Sequence, residues 1–282
     1  MSTPAAGVYR LPVLIRTIRD VDRSGQWLRA GWRDFCRAPL VSLCYGAAFV
    51  LVGLALTLGL ALAELGSLIL PLAGGFTMLA PILVVGLYDV SRRLEAGLPV
   101  SVADCFGAFG RSIGQLAAMG VVLLVCYLVW VRVALLLFAL FFNQSPPPLD
   151  HFLENILFSI DGAALLLFGT IVGAVFATVV FSISAVSVPL IYDRPVDVLT
   201  AISVSLLTVR ENFRLMFGWA AMIAVVSVVG IATAFIGLAV AVPVLAYATW
   251  HAYRDLIGEG PTFPDDAQVP PAPRVAPTAS GA

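Results

Sequence analysis

The chain has 282 residues, of which 60% are hydrophobic and only 12% charged, with a net charge of −1 and a mean hydropathy of +0.99. A soluble domain normally carries about a quarter charged residues, so this balance excludes an ordinary soluble globular domain. All 16 basic residues are Arg, and where they stand says more than their sum.

Residues 1–39 hold seven Arg, and their longest apolar run is Val13-Leu14-Ile15. A secretory signal needs an apolar core within its first ~30 residues, so residues 1–23 read as an N-terminal cytoplasmic arm, disordered over 1–9. Four runs then qualify to cross ~30 Å of hydrocarbon: residues 40–63, 68–88, 116–142 and 162–192. A fifth, residues 215–250, would make a helix ~54 Å long, more than tilt absorbs. It reads as two short helices, 215–231 and 235–252, turning near 230–237. The expected fold is an all-α membrane protein with six transmembrane helices (alternative five) in three hairpins. Its helical membrane domain covers residues 24–258. Residues 259–282 form a disordered, Pro-rich cytoplasmic tail. Between spans three and four, Pro146-Pro147-Pro148 precedes a stretch, 149–161, expected to be a short surface helix.

Arginine placement orients the spans, because cytoplasmic loops collect positive charge. Arg10 to Arg37 precede span one. Arg92, Arg93 and Arg111 lie in the next loop on that side, and Arg194, Arg210 and Arg214 in the third. Arg254 and Arg274 follow the last span. The loops of the opposite side, 64–67 and 143–160, have no Arg. Six spans put both termini in the cytoplasm, whereas five would put Arg254 and Arg274 outside.

A weak internal repeat runs through this layout, with chance similarity among apolar segments as the alternative. Three times an amphipathic, Arg-ending stretch precedes a pair of spans. The first is Trp27 to Arg37. The second is Ser101 to Leu116, with Val102, Phe106, Phe109, Ile113 and Leu116 at helical spacing. The third is Asp197 to Arg214, with Val198, Ile202, Leu206, Val209 and Phe213 on one face. Such helices lie in the headgroup plane, and Trp27 and Trp32 suit that interface; ordinary extensions of the spans are the alternative. Ser101 with Asp104 resembles a capping box. Each pair closes on a similar motif: Ala80-Pro81-Ile82-Leu83, Val188-Pro189-Leu190-Ile191 and Val242-Pro243-Val244-Leu245. A Tyr and an Asp follow each: Tyr88-Asp89, Tyr192-Asp193 and Tyr253-Arg254-Asp255.

Few residues invite chemistry. Arg132 sits inside span three, where a charge costs several kcal/mol unless it is paired or snorkels. It reads either as an anion or proton site, with Asp161 or Glu64 as counter-ion, or as a snorkelling or clamped structural Arg. Pro81, Pro189 and Pro243 each free a carbonyl four residues earlier; they read as packing kinks, with a transporter-like broken helix as the alternative. Gly53, Gly59, Gly74, Gly75 and the pair Gly169 and Gly173 match close helix contacts. Cys36, Cys44, Cys105 and Cys126 form no CxxC pair and read as reduced thiols. His151 and His251 fall on opposite faces, so one metal or haem cannot use both. No phosphate-binding loop, HExxH or GxSxG occurs. No catalytic site, metal or cofactor is expected.

The stretch Trp27-Leu28-Arg29-Ala30-Gly31-Trp32-Arg33-Asp34, followed by Arg37-Ala38-Pro39-Leu40, resembles the opening motif of bacterial membrane proteins grouped as domain of unknown function 2189. The run from Val242 to Leu256 is similar to that family's C-terminal signature. The resemblance covers about residues 15–258, with the middle a generic apolar stretch. It implies an inner-membrane protein and carries over no catalytic or binding residues. Some relatives are labelled as a cytochrome c oxidase large subunit. That label fails here, since haem and copper need several His inside the spans and this chain has only two His, on opposite faces. The expected role is a non-enzymatic membrane scaffold or envelope-associated factor in the bacterial inner membrane. Its partners are the bilayer and, as a candidate, anionic lipid headgroups; no nucleic acid is expected. The alternative is a transporter or channel-like protein with Arg132 on the pathway.

Overall fold

The computed structural model describes residues 13–258 apart from 21, 64, 66–67 and 143–158. The Pro-rich tail, the start of the N-terminal arm, Glu64, His151 and most of the stretch 149–161 lie outside the described residues.

The protein is helical almost throughout. Helix α1 covers Arg23–Arg37 and stops where Ala38 precedes Pro39, since a residue before proline is pushed out of helical geometry. Helix α2, Pro39–Leu62, starts on that proline, where the missing N–H costs nothing. Next come α3 (Ile69–Leu83), α4 (Val85–Glu95) and α5 (Val102–Gly107) with a 3₁₀ turn, Ala108–Arg111. Helix α6 covers Ile113–Phe141, α7 Ile160–Ser184 and α8 Ser187–Asp193. Helix α9 covers Val198–Glu211, α10 Phe213–Ala232 and α11 Leu238–Leu256. Two short strands, β1 (Leu14–Ile15) and β2 (Ile257–Gly258), pair antiparallel, Leu14 opposite Gly258 and Ile15 opposite Ile257. Five stretches are long and apolar enough to cross a membrane: Pro39–Leu62, Gly75–Glu95, Ile113–Phe141, Gly162–Asp193 and Phe213–Ala232.

The long run 215–250 divides as its length requires. Thr233 Oγ1 donates to the Gly230 carbonyl and accepts the Gly237 N–H, while Ala234 and Phe235 turn the chain with φ of 51° and 67°. Helix α11 then runs back as the most enclosed helix, against α1, α2, α4 and α10, with Tyr247, Ala248, Trp250 and Leu256 fully buried. Between helices in lipid there is no hydrophobic drive, so close packing and hydrogen bonds do the holding. Gly31 and Gly46 permit that packing. A Cβ on Gly31 would lie 2.4 Å from the Val244 carbonyl oxygen, and one on Gly46 would lie 2.1 Å from that of Ala239. Ala239 is four residues before Pro243, so its carbonyl is the one the proline leaves free.

The other two prolines accompany breaks. The chain bends at Val84, three residues after Pro81, and the released Leu83 carbonyl accepts from Tyr45 OH. Between α7 and α8, just before Pro189, Ser205 of α9 fills the gap. Its Oγ accepts the Val186 N–H at 3.2 Å and donates to the Ser182 carbonyl at 2.7 Å. Broken backbone at membrane depth persists only where such partners exist.

Glycine placement departs from the expectation in part. Gly53, Gly75 and Gly173 lie under the rings of Phe235, Tyr127 and Trp130, whereas among the described residues nothing lies within 4 Å of a Cβ placed on Gly59 or Gly169. The side chain of Gly74's position is outside the described set.

Candidate functional site

The polar side chains gather at one end of the bundle, and the sequence repeat places them. Each of the three Pro motifs is followed by its Tyr and Asp, and the structure joins them across copies. Tyr192 OH donates to Asp89, which also accepts from Arg92 and from Arg93 Nε at 3.0 Å. Tyr253 OH donates to Asp193 at 2.6 Å. Asp255 accepts from Arg23 Nε at 2.7 Å and from the Trp27 indole at 2.9 Å. The rings of Tyr88, Tyr192 and Tyr253 all pack on Trp250, with centroids 6.3, 6.1 and 5.5 Å away. The Trp250 indole N–H is buried with no partner among the described residues.

A second cluster ties α1, α4 and α11 together. Asp34 is 4% exposed. Its Oδ2 accepts from Ser91 Oγ at 2.6 Å and lies 2.8 Å from His251 Nε2. The other ring nitrogen, Nδ1, is 3.5 Å from Glu95. Asp34 shares a helix face with Trp27 and Gly31, at i+7 and i+3, and so points inward with them. His251 therefore sits between two carboxylates rather than loose at the interface. Among the described residues, no group of three or more His, Cys, Asp or Glu side chains is arranged to hold a metal ion.

Outside the spans, two ionisation states have clear causes. Burial acts to raise the Asp255 carboxyl, but the hydrogen bonds from Arg23 and Trp27 outweigh it and hold the group below the ordinary carboxylate range. Burial, followed by the Asp89 and Asp104 charges, pushes the Cys105 thiol up to about 11. A thiol held protonated at neutral pH is a poor nucleophile and metal ligand.

The amphipathic stretches are present as α1, α5 with its 3₁₀ turn, and α9. The capping box forms: Ser101 N donates to Asp104 Oδ2 at 2.9 Å and Asp104 N to Ser101 Oγ at 3.3 Å. Their apolar stripes face outward in part, although Leu116 and Val198 are buried. Phe106 is 70% exposed and Phe213 62%, while Cys105, Ala108, Ala201, Val204 and Ser205 face the protein. Small residues approach neighbouring backbones, and large ones are left to lipid. Of the two expected interfacial tryptophans, Trp32 is exposed, but Trp27 is buried and packs edge-on against Trp219 at 5.8 Å.

The intramembrane charge stands apart from all this. Arg132 lies on the exposed face of α6 and makes no ion pair with a described residue. It is nine residues from the helix end, ~14 Å along the axis. Of its expected counter-ions, Glu64 lies outside the described residues. Asp161 opens α7, its side chain outside the described set.

These features are those of a membrane-embedded helical bundle, and comparison with known families agrees. Residues 69–193 match the family model described as a predicted integral membrane protein, DUF2189. This segment is similar to the DUF2189 family. The chain is a multi-pass integral membrane protein. The DUF2189 segment runs from α3 to α8 and contains Asp89, Tyr192, Asp193 and two of the three prolines. It leaves α1, α2 and α9–α11 outside, so both terminal motifs that resemble the family fall beyond the match. No curated protein and no solved structure matches the chain.

Sequence reasoning missed the clamp on the N-terminal arm. Asn212 Oδ1 accepts the Ile18 N–H at 2.7 Å and its Nδ2 donates to the Arg16 carbonyl at 3.0 Å. Nothing in the local pattern marks Asn212 as other than a helix-end residue, since its partners are nearly two hundred positions away.

Proposed function

We propose that the protein is a non-enzymatic membrane scaffold or envelope-associated factor of the bacterial inner membrane. It crosses six times, with both termini in the cytoplasm and its amphipathic helices in the inner headgroup layer. The observation that carries the scaffold reading is the outward position of Arg132 beside a core filled by side chains. A transport path through the bundle would need that charge to line an interior route with a carboxylate opposite. Instead Trp219, Trp250, Tyr88 and Tyr247 occupy the interior, and the described carboxylates of the polar end are engaged with Arg, Tyr, Trp or His.

Strand pairing supports an even number of crossings. Residues 14–15 bond to residues 257–258, so the two ends of the described chain meet on one face. An odd count would separate them by the bilayer. Arg92, Arg93, Arg111, Arg194 and Arg254 converge on that same end, which the positive-inside rule assigns to the cytoplasm.

The test is reconstitution in proteoliposomes with flux of small anions, cations and protons measured across the membrane. The expected result is no flux above empty liposomes, for the wild type and for Arg132→Leu alike. A flux that Arg132→Leu abolishes would replace the scaffold reading with transport.

A further inference from the structure

A groove of about 320 Å³ runs between α1 and α11 at the polar end, with Arg23, Trp27, Arg33, His251, Arg254 and Asp255 along its walls. On α1 these residues lie on one helix face, and Arg23 to Arg33 spans ~15 Å. The two ends of the groove differ. At one end Arg23 and Trp27 are committed to Asp255. At the other, Arg33 is exposed and makes no ion pair with a described residue. Arg254, half exposed, reaches Glu95 and Asp193 only at 3.8 and 3.9 Å, beyond hydrogen-bond length. Two guanidinium forks are thus left with donors unfilled, and His251 stands beside them already held by Asp34.

We propose that Arg33 and Arg254 of this groove bind a phosphate group. A guanidinium presents planar, paired N–H donors that match two phosphate oxygens, and two of them from different helices would close on one group. Glu95 and Asp193 face Arg254 from α4 and α8, and binding draws the guanidinium off those long contacts. The groove lies at headgroup depth on the reading, adopted above, of α1 as an interfacial helix. Trp32, stacked on Phe35 at 5.4 Å, is exposed beside it, and Leu40 at the start of α2 is 73% exposed. The phosphate belongs either to an anionic lipid headgroup or to a soluble phosphate ester.

The full chain is placed in phosphatidylcholine nanodiscs doped with phosphatidic acid or phosphatidylglycerol. Native mass spectrometry after transfer to mild detergent then counts retained lipid. The wild type retains the anionic lipid, and the double variant Arg33→Gln/Arg254→Gln retains it about 30-fold more weakly, as the loss of two guanidinium contacts to the phosphate predicts. Arg210→Gln/Arg214→Gln, two exposed arginines of another interfacial stretch, keeps wild-type retention. In the second arm, inorganic phosphate is added in pure phosphatidylcholine nanodiscs and the thermal midpoint is followed. A rise in the wild type that is absent in the groove variant assigns the phosphate to a soluble source. Equal losses in the two double variants, or no difference in either arm, overturns the proposal. Both readouts are of binding, so a flux found in proteoliposomes would remove the scaffold reading without touching this site.

Discussion

At Asp255 a single carboxylate holds two elements whose residues are more than two hundred positions apart. Its partners Arg23 and Trp27 stand on α1, and its own helix is α11. Charge-assisted hydrogen bonds of this kind are worth roughly 1.5–3 kcal/mol, less here because Arg23 is 40% exposed and screened by water. The carboxyl is depressed in the folded protein, so its contribution is complete above the unfolded value of about 3.9. It is lost as pH falls through the lower folded value. Asp255→Asn should therefore cost about 1–2 kcal/mol at pH 7. The gap from wild type should close below about pH 4. Thermal unfolding in detergent at the two pH values checks this, and a gap that persisted unchanged in acid would mean that Asn disrupts packing rather than charge. The sequence disclosed Asp255 as part of a repeated Tyr-Asp motif but not its partners, because an Arg and a Trp on an amphipathic stretch read equally well as facing lipid headgroups. Trp27 was misread for that reason. Its ring lies on the same face as Ala30, Gly31 and Asp34, and a face made of small residues is one that packs.

Helices α1, α2 and α11 meet through backbone contact. Gly31→Ala or Gly46→Ala would push a methyl into a carbonyl oxygen of α11, and overpacking of this kind costs about 1–3 kcal/mol. Gly59→Ala meets open space and should gain up to about 1 kcal/mol from helix propensity alone. Thermal unfolding of the three variants in one detergent gives the order. A Gly46→Ala protein as stable as Gly59→Ala would show that α2 and α11 do not approach closely. Element boundaries were largely legible in the sequence. The turn at residues 233–237 follows from a run too long for one crossing, and the start of α5 follows from Ser101 and Asp104. The breaks at Val84 and Ala185 were legible only as prolines. What completes them, Tyr45 and Ser205, comes from other helices, and no local pattern announces a hydroxyl that serves a distant backbone.

The whole bundle closes on itself. Residues 14–15 pair with 257–258, Arg16 N donates to the Leu256 carbonyl at 2.8 Å, and Asn212 grips Arg16 and Ile18 from α9. The sequence predicted the termini on one side from arginine placement, yet gave the arm beyond residue 9 no partner. Pairing between positions so far apart leaves no periodicity to find.

That closure orders the protein's birth. Arg16 and Ile18 leave the ribosome before any of the helices, while the residues that receive them, Asn212 and Leu256 to Gly258, leave after most of the helices. Until then the backbone of Arg16 and Ile18 waits for the partners that hold it in the finished protein. The stretch that shuts it emerges only with the end of the last helix. A chain stopped at residue 250 should thus be cut after Arg16 by trypsin in membrane vesicles, whereas the full chain, with the Arg16 N–H and carbonyl both bonded, should resist cleavage there. Equal cutting of both would show that docking of the arm does not wait for the end of the chain.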